Sequence, residues 1–399
     1  MTQRLAVDKT VLVVGDAPEA GSLSEALVAQ GYQVLRLVAA SSDIESSGRL
    51  LVSRGRHLDA LEGHVGRFRA GVSGGGARSL LSCSAVVVAT GNERYYPAKR
   101  YGLVLGPRIL SVPQMADMVA AGDRPASWRR KQRVALVLDW DPAGGRETAR
   151  ETAAEALELA VQVRRAWHAE VTCYYQNLKV DTYNTERLTR DMRECGVVFA
   201  RYDELKVTTD DEGVDLVWAE GEVRADLLVL PEAVRPAGDT GELARALGVH
   251  VGADGYFQDV NIHHYRPGLS SRRGVFFSGR CHMDGDARQI ADDVAQAVAN
   301  VDALLGSGEI ESEDEIAQVD PNVCIRCLTC VRTCPHAAAE IAEYRDASGS
   351  SAVTAACVDV WACRGCGACV ANCPVQAIKL VIADEAAREV LALEERVRA

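Results

Sequence analysis

The chain has 399 residues, 48% of them hydrophobic and 25% charged, which suits two or three domains with a sizeable core and excludes disorder as the main state. Its 56 acidic against 44 basic residues leave a net charge of −12, and aromatics are 5%, so the basic footprint and stacking surface of a nucleic-acid binder are missing. No apolar run approaches the ~20 residues of a membrane span, and the opening shows no basic flank leading into a secretory apolar stretch, so a cytoplasmic protein without a membrane span is expected.

The first elements read strand, helix, strand. Residues 10–14 (TVLVV) are a Val-rich run. Residues 22–30 place Leu23, Ala26 and Leu27 at helical spacing before a stop at Gly31. Residues 33–38 are the next strand, and residues 84–90 (SAVVVAT) read as a strand buried on both faces. Residues 120–131 are polar, with Gly122 and Pro125, and suit a crossing between domains.

A second unit repeats this grammar. Strands are expected at 133–138, 170–175 and 197–202, with helices at 148–167 and 185–195. Residues 205–209 and 214–219 flank a DDEG turn and read as a hairpin, and residues 226–230 (DLLVL) close the unit. The segments SAVVVATGNERYYPA and ADLLVLPEAVRPA echo each other, each a buried strand with a Pro-containing exit. Strands alternating with helices imply a mostly parallel sheet. From Gly274 come a strand, a Gly turn and a helix carrying Ile290, Val294, Val298, Val301 and Leu305 on one face. The acidic stretch that follows reads as a solvated linker at 308–318, and the tail at 383–399 as a mixed-charge helix.

The cysteines carry the sharpest signal. Of thirteen, nine fall between Cys324 and Cys373, which does not suit a disulfide framework. Cys324, Cys327, Cys330 and Cys334-Pro335 have the spacing C-x2-C-x2-C-x3-C-P, and Cys363, Cys366, Cys369 and Cys373-Pro374 repeat it. This is the bacterial two-cluster ferredoxin run, in which the fourth cysteine ligates the other cluster. One [4Fe-4S] cluster is therefore expected on Cys324, Cys327, Cys330 and Cys373, and a second on Cys363, Cys366, Cys369 and Cys334. Zinc would use pairs of Cys-x-x-Cys rather than two identical quartets. Cys357 fits neither quartet and reads as a buried thiol.

Other motifs are weaker. Gly15-Asp16-Ala17-Pro18-Glu19-Ala20 sits where a dinucleotide fingerprint belongs, but alanines replace its second and third glycines, and Val38 stands where the ribose-binding acid should be. Asp139 to Gly145 in the second unit has no such fingerprint. Cys281-His282 before the last long helix reads as a packed cysteine beside a surface histidine, with a low-pKa thiol as the alternative. His263 and His264 are strand neighbours that point to opposite faces and cannot easily share a metal.

On the segments VVGDAPEAGSLSEALVAQGYQV, LEGHVGRFRAGV, VVVATGNERYYPA, LLVLPEAVRPA, DGYFQDVNIHHYRP and RRGVFFSGRCHMDGD, together with the two quartets, the chain resembles the A subunit of heterodisulfide reductases and its electron-transfer relatives. The resemblance implies an α/β fold: two Rossmann-like units of the pyridine-nucleotide-disulfide-oxidoreductase kind plus a small C-terminal α+β two-cluster ferredoxin domain. The first unit is expected at 1–127 and 234–307, the inserted second unit at 128–233, and the ferredoxin domain at 319–382.

By the same resemblance Gly15, Thr90, Gly91 and Gly279 are the candidates to line a flavin pocket. The family has glycines at Ala17 and Ala20 and a Glu at Val38, and the lone Cys83 marks the absence of an inserted cluster. Tight FAD binding is therefore expected to be lost or much weakened. Ala17 would carry a conformational cost if its position needs a positive φ, and Asp16 adds negative charge beside a phosphate site. The leading expectation is an electron-transfer subunit of a larger redox complex, meeting other redox subunits through the ferredoxin module near Leu328, Val331, Arg332 and His336. The competing one is a flavin-dependent oxidoreductase that feeds the clusters from FAD. A stand-alone ferredoxin with a ballast domain ranks last.

Overall fold

The computed structural model describes residues 3–124, 132–139, 150–178, 184–260, 267–345 and 352–383. The Gly144–Gly145 turn, the His263–His264 pair and the tail beyond residue 383 lie outside the described residues. The chain divides into two compact units. One comprises residues 1–91, 237–282 and 292–399; the other comprises 92–236 and 283–291.

The first unit is built on a five-stranded parallel sheet in the order Val275–Phe277, Ala85–Val88, Thr10–Val14, Gln33–Val38, Leu50–Arg54. Its central strands are continuous apolar runs because both faces are covered: Val11, Leu12, Val13 and Val86 are fully buried. The helix Pro18–Ala29 lays Ala20, Leu23 and Leu27 on this sheet. It starts earlier than the sequence pattern suggests, because Pro18 sits at the first helical position with its φ already set. Val294, Ala297, Val298, Val301 and Leu305 of the helix Ala287–Leu305 belong to the same core.

A three-stranded antiparallel meander, His57–Glu62, Phe68–Gly74 and Ala77–Cys83, was not legible in the sequence. Its period-two signal is broken by a register shift between Leu58 and Ala60 and by Gly71 and Gly74 within the middle strand.

The acidic stretch is not the solvated linker expected at 308–318. Glu309–Glu311 pairs antiparallel with Arg4–Ala6, burying Ile310 and setting Arg4 beside Glu309 and Glu311. Opposite charges across the ladder and one inward isoleucine make this acidic sequence a strand. Glu315–Val319 then pairs with Ile378–Ile382 and closes the cysteine-rich module. Ala339–Arg345 and Ala352–Val358 form its other hairpin, over a small core including Ile316, Ala338, Ala356, Val360 and Ile378.

The second unit has the same plan. Its parallel sheet runs Ile109–Ser111, Leu227–Leu230, Arg133–Val137, Glu170–Tyr175, Val198–Arg201. The helix Arg150–Trp167 buries Ala156, Leu157, Ala160 and Val163, and Lys206–Thr209, Val214–Trp218 and Gly221–Ala225 form its meander. The strand exits of the sequence echo, Asn92–Tyr95 and Ala233–Pro236, pair with each other. Among the described residues, no helix is long and apolar enough to cross a membrane.

Candidate metal centre

The two cysteine quartets fold as equivalent loops. In each, the residue before and the residue after the second cysteine take left-handed backbone: Arg326 (φ 58°) and Leu328 (φ 62°) in the first loop, Gly365 (φ 63°) and Gly367 (φ 73°) in the second. The third cysteine of each lies on a short helix, Thr329–Thr333 or Ala368–Ala371. Ala337 and Gln376, at matching positions after each Cys-Pro, are left-handed as well. Glycine adopts this conformation without strain, whereas the side chains in the first loop are strained by it. Arg326 is exposed, so Arg326→Gly removes strain without removing packing. It is expected to stabilise the holoprotein by about 0.5–1 kcal/mol, read from the thermal midpoint.

The fourth cysteine of each quartet sits with the other quartet's trio. Cys373 lines one cavity with Cys324, Cys327 and Cys330, alongside Ala356 and Ile378. Burial pushes the Cys369 thiol up to about 11, with Cys363, Cys334 and Cys366 adding to the rise. Cys363 is raised by burial and then by Cys334 and Cys366, which places Cys334 against the second trio. Cys330 is raised by burial and by Cys324 and Cys327, while the side chain and backbone of Thr329 hold the exposed Cys327 down. Among the described residues no three such groups converge on a single metal ion. A cubane asks for something different, one thiolate at each iron-bearing corner.

Backbone amides also aim at the sulfurs. Ala317 N–H points at Cys363 Sγ (3.5 Å), Ala338 at Cys334 (3.4 Å), Ala356 at Cys324 (3.5 Å) and Ala377 at Cys373 (3.2 Å). Such donors favour the thiolate and tune a cluster's potential. Thiols crowded and partly buried, yet each of these four met by an amide, are a donor set that fits an iron–sulfur core. Cys357 stands apart, half-buried and raised by burial, near Tyr344, whose hydroxyl donates to Ala356 O at 2.9 Å. Of the residues expected to meet a partner, Leu328 and Arg332 are exposed. His336 is not on that face: its Nδ1 donates to Ser271 O at 2.7 Å and turns the ring to the α/β core.

The four flavin candidates gather where the first parallel sheet reverses strand order, outside its carboxyl ends. Gly15 (φ 128°) lies so close to Ala89 O that a Cβ would stand 2.3 Å away. Gly91 packs against the Ala17 methyl, where a Cβ would stand at 3.0 Å, and Thr90 Oγ1 is buried without a partner. Ala17 has φ −56°, so the conformational cost considered for it does not arise.

The Gly279 turn is held by the chain's own carboxylates. A Cβ on Gly279 would stand 2.5 Å from Glu19 Cγ. Glu19, 4% exposed, accepts from Arg280 N at 3.1 Å and pairs with the Arg280 guanidinium at 3.3 Å. Gly279 N donates to Asp293 at 2.6 Å, and Asp16 accepts from Ala39 N at 3.3 Å, at the end of the strand where a ribose acid would be sought. The roles of Glu19, Arg280 and Asp293 are not legible in the sequence. The one available signal was an acid at the fifth position of the fingerprint.

Cys281 is a packed thiol, its Sγ directed at Val88 O and Ser278 O (3.3 Å each) and its pKa pushed up by burial. His282 is not the surface residue expected. It is buried between Asp259 and Asp293, each 3.2 Å away. Burial lowers its pKa, but the two carboxylates outweigh that and bring it up to about 9. A raised folded-state pKa stabilises fully below about 6.5, and the gain fades as pH climbs through about 9. The stability difference between the native protein and His282→Gln is therefore expected to shrink by on the order of 3 kcal/mol between pH 6 and pH 10, followed by denaturant melts.

Fold and cysteine framework define a two-cluster iron–sulfur protein on a double α/β scaffold. Residues 323–377 match the 4Fe-4S dicluster domain, whose cofactors are two [4Fe-4S] clusters. The chain's curated homologues are named as A subunits of heterodisulfide reductases. It is 36% identical over 128 residues to a protein of Archaeoglobus profundus named for its likeness to the heterodisulfide reductase A subunit, covering 31% of this chain and 18% of that one. It is 26% identical over 285 residues to an iron-sulfur A subunit of the CoB–CoM heterodisulfide reductase of Methanopyrus kandleri, covering 65% and 43%. The chain spans less than half the length of these curated relatives. Among solved structures, T. acidophilum thioredoxin reductase aligns with a TM-score of 0.46 at 14% identity, over 74% of this chain and 99% of that one.

Proposed function

We propose that this chain is the iron–sulfur electron-transfer subunit of a cytoplasmic heterodisulfide-reductase-like complex. The observation that carries this reading is the crossed grouping of the quartets, with Cys373 beside the first trio and Cys334 beside the second. In it, Cys324, Cys327, Cys330 and Cys373 hold one cluster, and Cys363, Cys366, Cys369 and Cys334 hold the other. When bound, the clusters supply one-electron transfer. The chain's own residues set the charge at the sulfurs through the four amide donors, and they provide an edge where a partner can approach. Cys327 is exposed, and Val323, Ile325 and Leu328 around it are large exposed hydrophobics, which suits docking of a redox partner close to the first cluster.

A flavin-dependent oxidoreductase is the second reading. The unpartnered Thr90 hydroxyl and the close approach at Gly15 speak for it. Against it, the backbone donors at Gly279 and Arg280 are already satisfied by Asp293 and Glu19. A flavin diphosphate would bring further negative charge beside Glu19, Asp293 and Asp16. The residues present do not fit tight FAD binding.

Native mass measurement of the protein purified anaerobically from its source tests the assignment. Co-migrating redox subunits are the expected result. A strictly monomeric protein with its own substrate turnover would sink it.

A further inference from the structure

The edge strand Val275–Phe277 of the first parallel sheet borders, at its amino end, a cavity of about 630 Å³ between the α/β core and the cysteine module, a size typical of small-molecule sites. Leu269, Phe276 and Leu304 give it an apolar wall, and Arg273, Ser271 and Cys366 also line it.

Two of its polar side chains, Arg273 and Ser271, carry donors left without acceptors. Arg273 Nη2 donates to Glu311 O at 2.8 Å, but Nε and Nη1 are shielded from water with no partner. Ser271 is 9% exposed and its Oγ is also unpartnered. Neighbouring groups do not supply the missing acceptor. Arg364 adds positive charge and pairs its guanidinium with Glu313 at 2.9 Å. Arg272 is committed to Leu247 O and Gly63 O, and His336 donates to Ser271 O. Each buried donor without an acceptor costs about 1–3 kcal/mol, which an anionic oxygen would relieve.

We propose that this cavity binds a small amphiphilic anion, with a carboxylate or phosphate head against Arg273 and Ser271 and an apolar body along Leu269, Phe276 and Leu304. The site stands on the core's own side chains and does not depend on the cluster reading. Its occupant would lie beside Cys366.

The test is calorimetric titration of the full chain with hexanoate and hexyl phosphate, using hexanol and inorganic phosphate as half-ligands. Saturable one-to-one binding of at least one anion is expected, about tenfold or more tighter than either half-ligand. The preferred head separates an organic acid from a phosphate ester. Arg273→Met, which removes the donors, and Ala303→Trp, which adds bulk at an exposed lining position, should each weaken binding by about tenfold or more. If Arg273→Met does not fold, Ala303→Trp decides. Absence of saturable binding, or binding that survives either folded variant, overturns the proposal.

Discussion

Cys373→Ser is expected to strip the cluster that Cys324, Cys327 and Cys330 hold, and to leave the one nearest to it in sequence intact. Cys373 shares a cavity with that distant trio, and its sulfur faces Ala377 N–H at 3.2 Å. Serine supplies a harder, less acidic ligand at one corner of the cubane. Iron content should fall from about eight to about four per chain, with one reduced-state paramagnetic signal lost. Cys334→Ser should do the converse, removing the cluster of Cys363, Cys366 and Cys369. Loss of the sequence-adjacent cluster in either variant would show that the ligation is not crossed.

The second large effect concerns Glu19. Its carboxylate is nearly inaccessible and its partner Arg280 only 18% exposed. Removing Glu19 takes away the carboxylate that accepts from the Arg280 amide and meets its guanidinium, and charge-assisted hydrogen bonds of this kind contribute about 1.5–3 kcal/mol each. Glu19→Ala is therefore expected to lower the first unit's denaturant midpoint markedly, and Glu19→Gln to recover little of the loss. Acid release from the native protein should yield flavin far below one per chain. Near-stoichiometric FAD would refute the proposed loss of flavin and move the flavin-dependent reading to first place.

The buried strands and the cysteine framework were legible because their signals are local. TVLVV, AVVV and LLVL are continuous apolar runs, and the quartet spacing is fixed by how thiolates wrap a cubane. The meander at residues 57–83 was not, because its glycines and register shift erase the alternation. The acidic strand Glu309–Glu311 was hidden because its pairing partner, Arg4–Ala6, lies some three hundred residues away. A similar distance hid the contact between Glu19 and Arg280, whose ion pair no local pattern announces. Ala17 misled in the opposite direction: its replacement of a fingerprint glycine suggested backbone strain, yet its φ is ordinary, and it is the carboxylates nearby that fill the turn.

Iron and acid-labile sulfide, quantified together in anaerobically purified full-length protein, test the two-cluster relay most directly. About eight of each per chain are expected. About four of each, or iron without matching sulfide, would contradict the relay.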